Sequence, residues 1–173
     1  MIDGDGLWHL ITKPDILRGY KRAVITPNAD EFSHLVKVIL NKDMSPTVCP
    51  DHKLVGDLAR ALGNLAVIHK GAHDVISDGK STEDCNAGGS PRRCGGQGDI
   101  LAGSLATFLN WAYSSHSCDD PGPAVIASWG ACRLSRACAA QAYNQEGRAG
   151  TALDIVNQIQ AEFLRIYESE TYI

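Results

Sequence analysis

The sequence predicts an α/β protein in three layers, a mostly parallel sheet with helices over both faces. Three observations carry that prediction. Short apolar runs rich in β-branched residues, Ala23-Val24-Ile25-Thr26 and Leu65-Ala66-Val67-Ile68-His69, read as buried strands. Segments with apolar residues at three- and four-residue spacing lie between and after them, as amphipathic helices require. Strands alternating with helices are the pattern of a parallel sheet covered on both sides.

The elements follow in order. Ile2-Asp3 reads as the end of a strand, followed at once by a turn and a helix. A parallel sheet buries both faces and needs neighbouring strands, so further sequence is expected upstream in a longer protein. The run at Ala23 stops at Pro27, and Asn28 is placed to cap a helix from about Asp30 to Leu40 with Phe32, Leu35, Val36 and Ile39 on one face. Asn41 to Pro50 is polar and holds two prolines, so it reads as a loop. Lys53 to Leu62 is helical in pattern, with Leu54, Leu58, Ala61 and Leu62 as its stripe and Gly63 as its stop. After the strand ending at His69, Asp74-Val75-Ile76-Ser77 is another strand candidate, and Asp78-Gly79 signals a hairpin turn. Cys85 to Gly98 is glycine-rich and has no period. A helix resumes at Asp99 or Ile100, with Leu101, Leu105, Phe108 and Leu109 on one side. Pro123 opens the next, about Ala124 to Asn144. Thr151-Ala152-Leu153-Asp154 resembles a capping box before a helix that buries Ile155, Ile159, Phe163 and Ile166.

Composition narrows the class of function. The 173 residues suit one domain, and 44% hydrophobic with 21% charged residues suits a packed globular core. A net charge of −4 argues against nucleic acid or an anionic membrane as partner, while a small anion needs only a local positive site. No stretch reaches the roughly 18 apolar residues of a membrane span, and the first residues have neither the basic nor the apolar region of a signal peptide. The six cysteines (Cys49, Cys85, Cys94, Cys118, Cys132 and Cys138) form no CxxC pair and are expected as free thiols. His9, His69 and His73 have no second ligand at a useful spacing, so no metal is assigned to histidine.

The segment Arg92-Arg93-Cys94-Gly95-Gly96-Gln97-Gly98-Asp99 carries the strongest chemical signal. Its glycines permit positive φ and leave no Cβ in a ligand's way. They precede a helix whose first N–H groups are unpaired and whose dipole is positive there, an arrangement that binds phosphate. Arg92 and Arg93 add cationic donors. No Lys-Ser/Thr follows the glycines, so this is not a Walker A loop, and their spacing is not that of a dinucleotide fingerprint. Asp99 has two readings: a favourable charge in a first helical turn, or a base taking the proton of a substrate hydroxyl beside a transferring phosphate. Asn28 and Glu31 sit at a strand's carboxyl end, where open α/β sheets bind ligands, though helix capping also accounts for them. Lys70-Gly71-Ala72-His73-Asp74 follows another strand end and is either a phosphate contact or a plain loop. Cys94 lies in the anion site without a partner base.

Taken in order, Asp3-Gly4-Asp5-Gly6-Leu7, Thr26-Pro27-Asn28 with Glu31-Phe32, Lys70-Gly71 with Asp74, and Gly95-Gly96-Gln97-Gly98-Asp99 resemble the carbohydrate-kinase-like dehydratases of ribokinase fold that repair hydrated NADH and NADPH. The wording from Arg92 to Asp99 is similar to the animal form, and the resemblance runs from Met1 to about Tyr167. It implies that Asn28, Ala29, Asp30, Glu31, Phe32, Ser33 and His34 bind the hydrated nicotinamide nucleotide. It implies that Lys70, Gly71, Ala72, His73 and Asp74, with Gly89, Ser90, Pro91, Arg92, Arg93, Cys94, Gly95, Gly96, Gln97 and Gly98, bind ATP. Asp99 would contact the substrate and act as the base. Mg²⁺ would accompany ATP, and the partners would be these small molecules. The chain departs from the family in starting at the Asp-Gly-Asp-Gly-Leu strand end. The amino-terminal part of the ribokinase-like domain is therefore expected to be missing, and this chain alone to be inactive or poorly folded. A small-molecule kinase of the same fold and an inactive nucleotide-binding form are the alternatives. The resemblance allows the cytosol and mitochondria as compartments.

Overall fold

The computed structural model describes residues 1–20, 22–47, 51–115 and 121–168. Cys49, Cys118 and the end of the loop expected at 41–50 lie outside these residues. The strands are β1 (Val24–Ile25), β2 (Ala66–His69), β3 (Asp74–Ser77) and β4 (Thr82–Cys85), in sheet order β1-β2-β3-β4. Ile2 adds an isolated parallel bridge to Ile25. The helices are α1 (Asp5–Thr12), α2 (Ala29–Leu40), α3 (His52–Ala61), α4 (Gln97–Ser114), α5 (Pro123–Glu146), α6 (Ala152–Asn157) and α7 (Ile159–Phe163), closed by a π-helical turn over Leu164–Glu168.

The sheet is mixed, which corrects the expectation of a mostly parallel one. β1 and β2 are parallel, with Val24 opposite Ala66. β2 and β3 are antiparallel, with Ile68 opposite Ile76, and so are β3 and β4. The reason is connection length. A parallel pair needs a long crossover, supplied here between β1 and β2 by α2 and α3, whereas the short links after β2 and β3 permit only antiparallel return. The Asp78-Gly79 signal marks the second of these. Asp78 Oδ1 accepts from the N–H groups of Lys80 and Ser81 at 2.9 Å each, and Gly79 has φ +84°. β4 escapes an apolar pattern because Thr82, Glu83 and Asp84 are not buried. The edge strand is therefore polar, as exposed edges commonly are.

Strand alternation sorts the core into two layers. Ile25, Val67 and Val75 point to one face and pack with Leu7 and Leu10 of α1, Phe32, Leu35 and Val36 of α2, and Val55 and Leu58 of α3. Val24, Ala66, Ile68 and Ile76 point to the other and pack with Leu101, Leu105 and Leu109 of α4 and Val125, Ala131 and Cys132 of α5. The result is the expected three-layer α/β/α arrangement. A third cluster joins Leu134, Cys138 and Ala142 of α5 to Ile155 of α6. Asp154 accepts from both the N–H and the hydroxyl of Thr151 at 2.7 Å, so the expected cap of α6 forms. Of the apolar residues expected under that helix, Ile155 is buried while Ile159, Phe163 and Ile166 are half-buried. Among the described residues the thiols of Cys85, Cys94, Cys132 and Cys138 are free. Burial pushes Cys85 up to about 11 and Cys138 up to about 12, so both stay protonated and unreactive near neutral pH. No helix among the described residues is long and apolar enough to cross a membrane.

Candidate functional site

The carboxyl ends of the parallel strands form one side of the site. Ile2 N–H donates to Val24 O at 2.8 Å and Thr26 N–H to Ile2 O at 3.2 Å, which brings Asp3 beside the end of β1. Lys70 N–H donates to Pro27 O at 2.9 Å and latches the end of β2 to the same place. The Lys70 ammonium then meets Asp3 Oδ1 at 2.8 Å, with both side chains 21% exposed. The start of α4 closes on this pair. A Cβ on Gly98 would lie 3.4 Å from Asp3 Oδ2 and 3.9 Å from Lys70 Nζ.

The start of α4 is open where that of α2 is closed. Asn28 Oδ1 accepts from Glu31 N–H at 3.0 Å, and Glu31 Oε2 accepts from Asn28 N–H at 2.7 Å. This capping box uses both side chains that were candidates for substrate contact. Gly96, the N-cap of α4, has φ +91° and supplies no side-chain cap. Gly96 O already accepts from Ile100 N–H, and no side-chain cap meets the N–H groups of the first turn.

Between these elements lies a cavity of about 540 Å³. Its walls bring together Lys70, Gly71, Ala72 and Asp74 after β2, Gly89, Ser90, Pro91, Arg93 and Cys94 from the glycine-rich segment, Gln97 and Gly98 from α4, and Asn28. His73, Arg92, Gly95 and Gly96 fall outside its lining. Arg92 is turned away because its Nη1 donates to Gly150 O at 2.8 Å. Leu101, Ser135, Arg136 and Ala139 also line the cavity. Sequence reasoning placed Leu101 only on the apolar side of α4, and missed Ser135, Arg136 and Ala139, since α5 carries no glycine motif and only an arginine among small residues marks the spot. Asp74 is buried, and its Oδ1 accepts from Gly71 N–H at 3.0 Å. Burial pushes its carboxyl up, opposed by the Gly71 N–H and the Arg136 guanidinium. Asp74 thus shapes the loop from below.

The remaining candidates are dispersed. Phe32 is wholly buried and meets the His69 ring edge-on, with centroids 4.8 Å apart. Ala29 and Glu31 are half-buried and Asp30 is exposed. Ser33 Oγ donates to Asp30 O, and His34 packs edge-on against Trp8. Asp99 is exposed and sits one residue beyond Gly98. One residue is about 100° of helix, so Asp99 leaves the cavity and stands at the rim of an apolar groove with Ile100, Phe108, Trp111 and Phe163. Buried His69 has neither ring nitrogen hydrogen-bonded, and burial together with His73 holds it down to about 4.

A family model for NAD(P)H-hydrate dehydratase matches residues 1–161. The chain belongs to the NAD(P)H-hydrate dehydratase family. It is 42% identical over 171 residues to the ATP-dependent (S)-NAD(P)H-hydrate dehydratase of Bos taurus, covering 98% of this chain and 51% of that protein. The same enzyme of Danio rerio is 41% identical over 98% of this chain and 51% of its own length, and that of Homo sapiens 39% over 98% and 49%. The chain thus spans about half the length of the curated dehydratases it matches. Two solved structures share the fold. One is a hypothetical protein from Streptococcus mutans, with TM-score 0.65 at 20% identity over 92% of this chain and 52% of that one. The other is a hydroxyethylthiazole kinase from Pyrococcus horikoshii, with TM-score 0.56 at 21% identity over 83% and 52%. The dehydratase family and the kinase therefore share one frame, and the expected ribokinase-like class holds.

Proposed function

We propose that this chain carries the ATP side of a dehydratase acting on the S form of hydrated NADH and NADPH. The observation that carries this reading is the meeting of Lys70, Asp3 and the uncapped start of α4 at one cavity. ATP phosphates lie against the first N–H groups of α4, with Lys70 and Arg93 as cations. The C6 hydroxyl of the hydrated ring attacks the γ-phosphorus and the bond to the ADP oxygen breaks. The resemblance makes Asp99 the base, and because Asp99 stands outside the cavity lining, one residue beyond Gly98, the hydroxyl is met on the α4 side of the phosphates rather than within the cavity. The C6–O bond then breaks, phosphate leaves, a C5 proton is lost and the ring double bond returns. The products are NADH or NADPH, ADP and phosphate. The names of the relatives support this substrate pair.

Mg²⁺ with the ATP phosphates belongs to the same reading. Mg²⁺ is usually held by one or two carboxylates plus phosphates and water. Among the described residues no group of three or more His, Cys, Asp or Glu side chains is placed to hold a metal. Asp3 is the carboxylate beside the cavity that would hold it, and the ion would neutralise phosphate charge. The cytosol and mitochondria, where NADH and NADPH are kept, are the compartments this reading expects.

Titration calorimetry with ATP, followed by recovery of NADH absorbance from the S hydrate, tests the proposal. ATP binding is expected of this chain. Turnover, measured here or in a full-length relative, is expected to fall about 10²–10⁴-fold in Asp99→Asn with ATP affinity kept. A chain that folds but binds no ATP, or a lasting phosphoester in place of NADH, would overturn it.

A further inference from the structure

Arg136 lies on α5, far in sequence from both segments of the nucleotide cavity, yet its guanidinium reaches both. Nη1 donates to Asp74 Oδ2 at 3.3 Å, and the two side chains are only 12% and 9% exposed. Nη2 donates to Ala72 O in the loop after β2 and, at 3.2 Å, to Gly88 O in the glycine-rich segment. The Arg136 backbone joins in, its carbonyl accepting from Gly89 N–H at 3.0 Å. Asp74, held by Arg136, in turn accepts from Gly71 N–H. The β3–β4 hairpin separates these two segments in sequence, and both line the cavity.

The two glycines are shaped around this residue. Gly89 has φ +109°, and a Cβ there would lie 3.0 Å from Arg136 Nη2. Gly88 has φ +73°, and its Cβ would lie 3.3 Å from Arg136 O. Both glycines have positive φ, and a Cβ would crowd the Arg136 guanidinium at Gly89 and the Arg136 backbone at Gly88. The guanidinium spreads its donors over a planar fork and so reaches two carbonyls and a carboxylate that lie apart, whereas the three donors of a lysine all sit on one nitrogen.

We propose that Arg136 is a positioning residue that bolts the 70–74 loop to the 88–91 segment, so that both walls of the nucleotide cavity are set before ATP arrives. The proposal rests on the nucleotide reading of the cavity for its consequence in binding, and on geometry alone for the coupling of the two segments. Preorganised walls spare a ligand the cost of ordering them.

Amide hydrogen exchange and ATP titration on wild type, Arg136→Ala, Arg136→Lys and Gly89→Ala test it. In Arg136→Ala, exchange is expected to rise together over 70–74 and 88–91, including Gly71, with α2 and α3 unchanged. ATP affinity is expected to fall about tenfold to a hundredfold, the worth of one or two charge-assisted hydrogen bonds, and added guanidinium ion to restore part of it. Arg136→Lys keeps the charge beside Asp74, so it should fold even where the alanine variant does not, and should still release both segments. Gly89→Ala should release them as well. Wild-type exchange at both segments in Arg136→Lys, a uniform rise across the whole protein, or unchanged ATP affinity with the segments released would overturn the proposal. Wild type that binds no ATP would instead remove the nucleotide reading, and the exchange data would still decide the coupling.

Discussion

Gly96 and Gly98 stand two residues apart, and each is glycine for its own reason. Gly96 has φ +91°, and a Cβ on it would lie 2.8 Å from the Ala152 Cβ. Gly96→Ala should therefore lower stability by about 1–3 kcal/mol, read from urea unfolding. Gly98 begins the helical turn without positive φ, and its Cβ would be 3.4 Å from Asp3 Oδ2, an ordinary contact. Gly98→Ala should fold like wild type and lose ATP affinity, because the methyl group occupies the approach to Lys70. Unchanged titration of Gly98→Ala would argue that the phosphates lie elsewhere. The importance of the glycine cluster was legible in the sequence. Which glycine the backbone requires and which lies open beside Asp3 and Lys70 was not, because that depends on Ala152 and Asp3, far away along the chain.

The helix starts make the same distinction at the scale of elements. α2 is capped by its own Asn28 and Glu31, whereas α4 begins at a bare glycine. Asn28→Ala should cost about 1 kcal/mol in thermal or urea unfolding, and Glu31→Ala should reproduce part of it. If instead both variants kept full stability and lost only substrate affinity, the capping role would be secondary. Helix positions and the α2 cap could be read locally, since they depend on spacing within a few residues. β4 was hidden because Thr82-Glu83-Asp84 lack apolar alternation and are held by pairing with β3. Arg136 was hidden for a related reason: its partners arrive from loops more than forty residues away.

At the scale of the molecule, His69 links stability to pH. It stands at the end of β2, with Phe32 of α2 packed against it. Its folded pKa is about 4, below the ordinary 6.5. Between those values the unfolded chain takes a proton that the native one refuses, so stability is complete above about pH 6.5 and is lost as pH falls toward 4. The loss should be about 1–3 kcal/mol, and His69→Met should flatten that part of the stability curve. A variant with the wild-type acid slope would assign the loss to other groups.

The sequence by itself determined the α/β class, the order of helices and buried strands, the family motifs and the open, glycine-rich start of α4. These rest on spacing and on the conformational freedom of single residues, which are local properties. Only the tertiary structure decided the mixed direction of the sheet, the Asp3–Lys70 pair, the retreat of Arg92 to Gly150, the placing of Asp99 outside the cavity and the grip of Arg136 on two loops. Each of these depends on backbone directions set by packing between distant elements, and no pattern within a short stretch of chain encodes them.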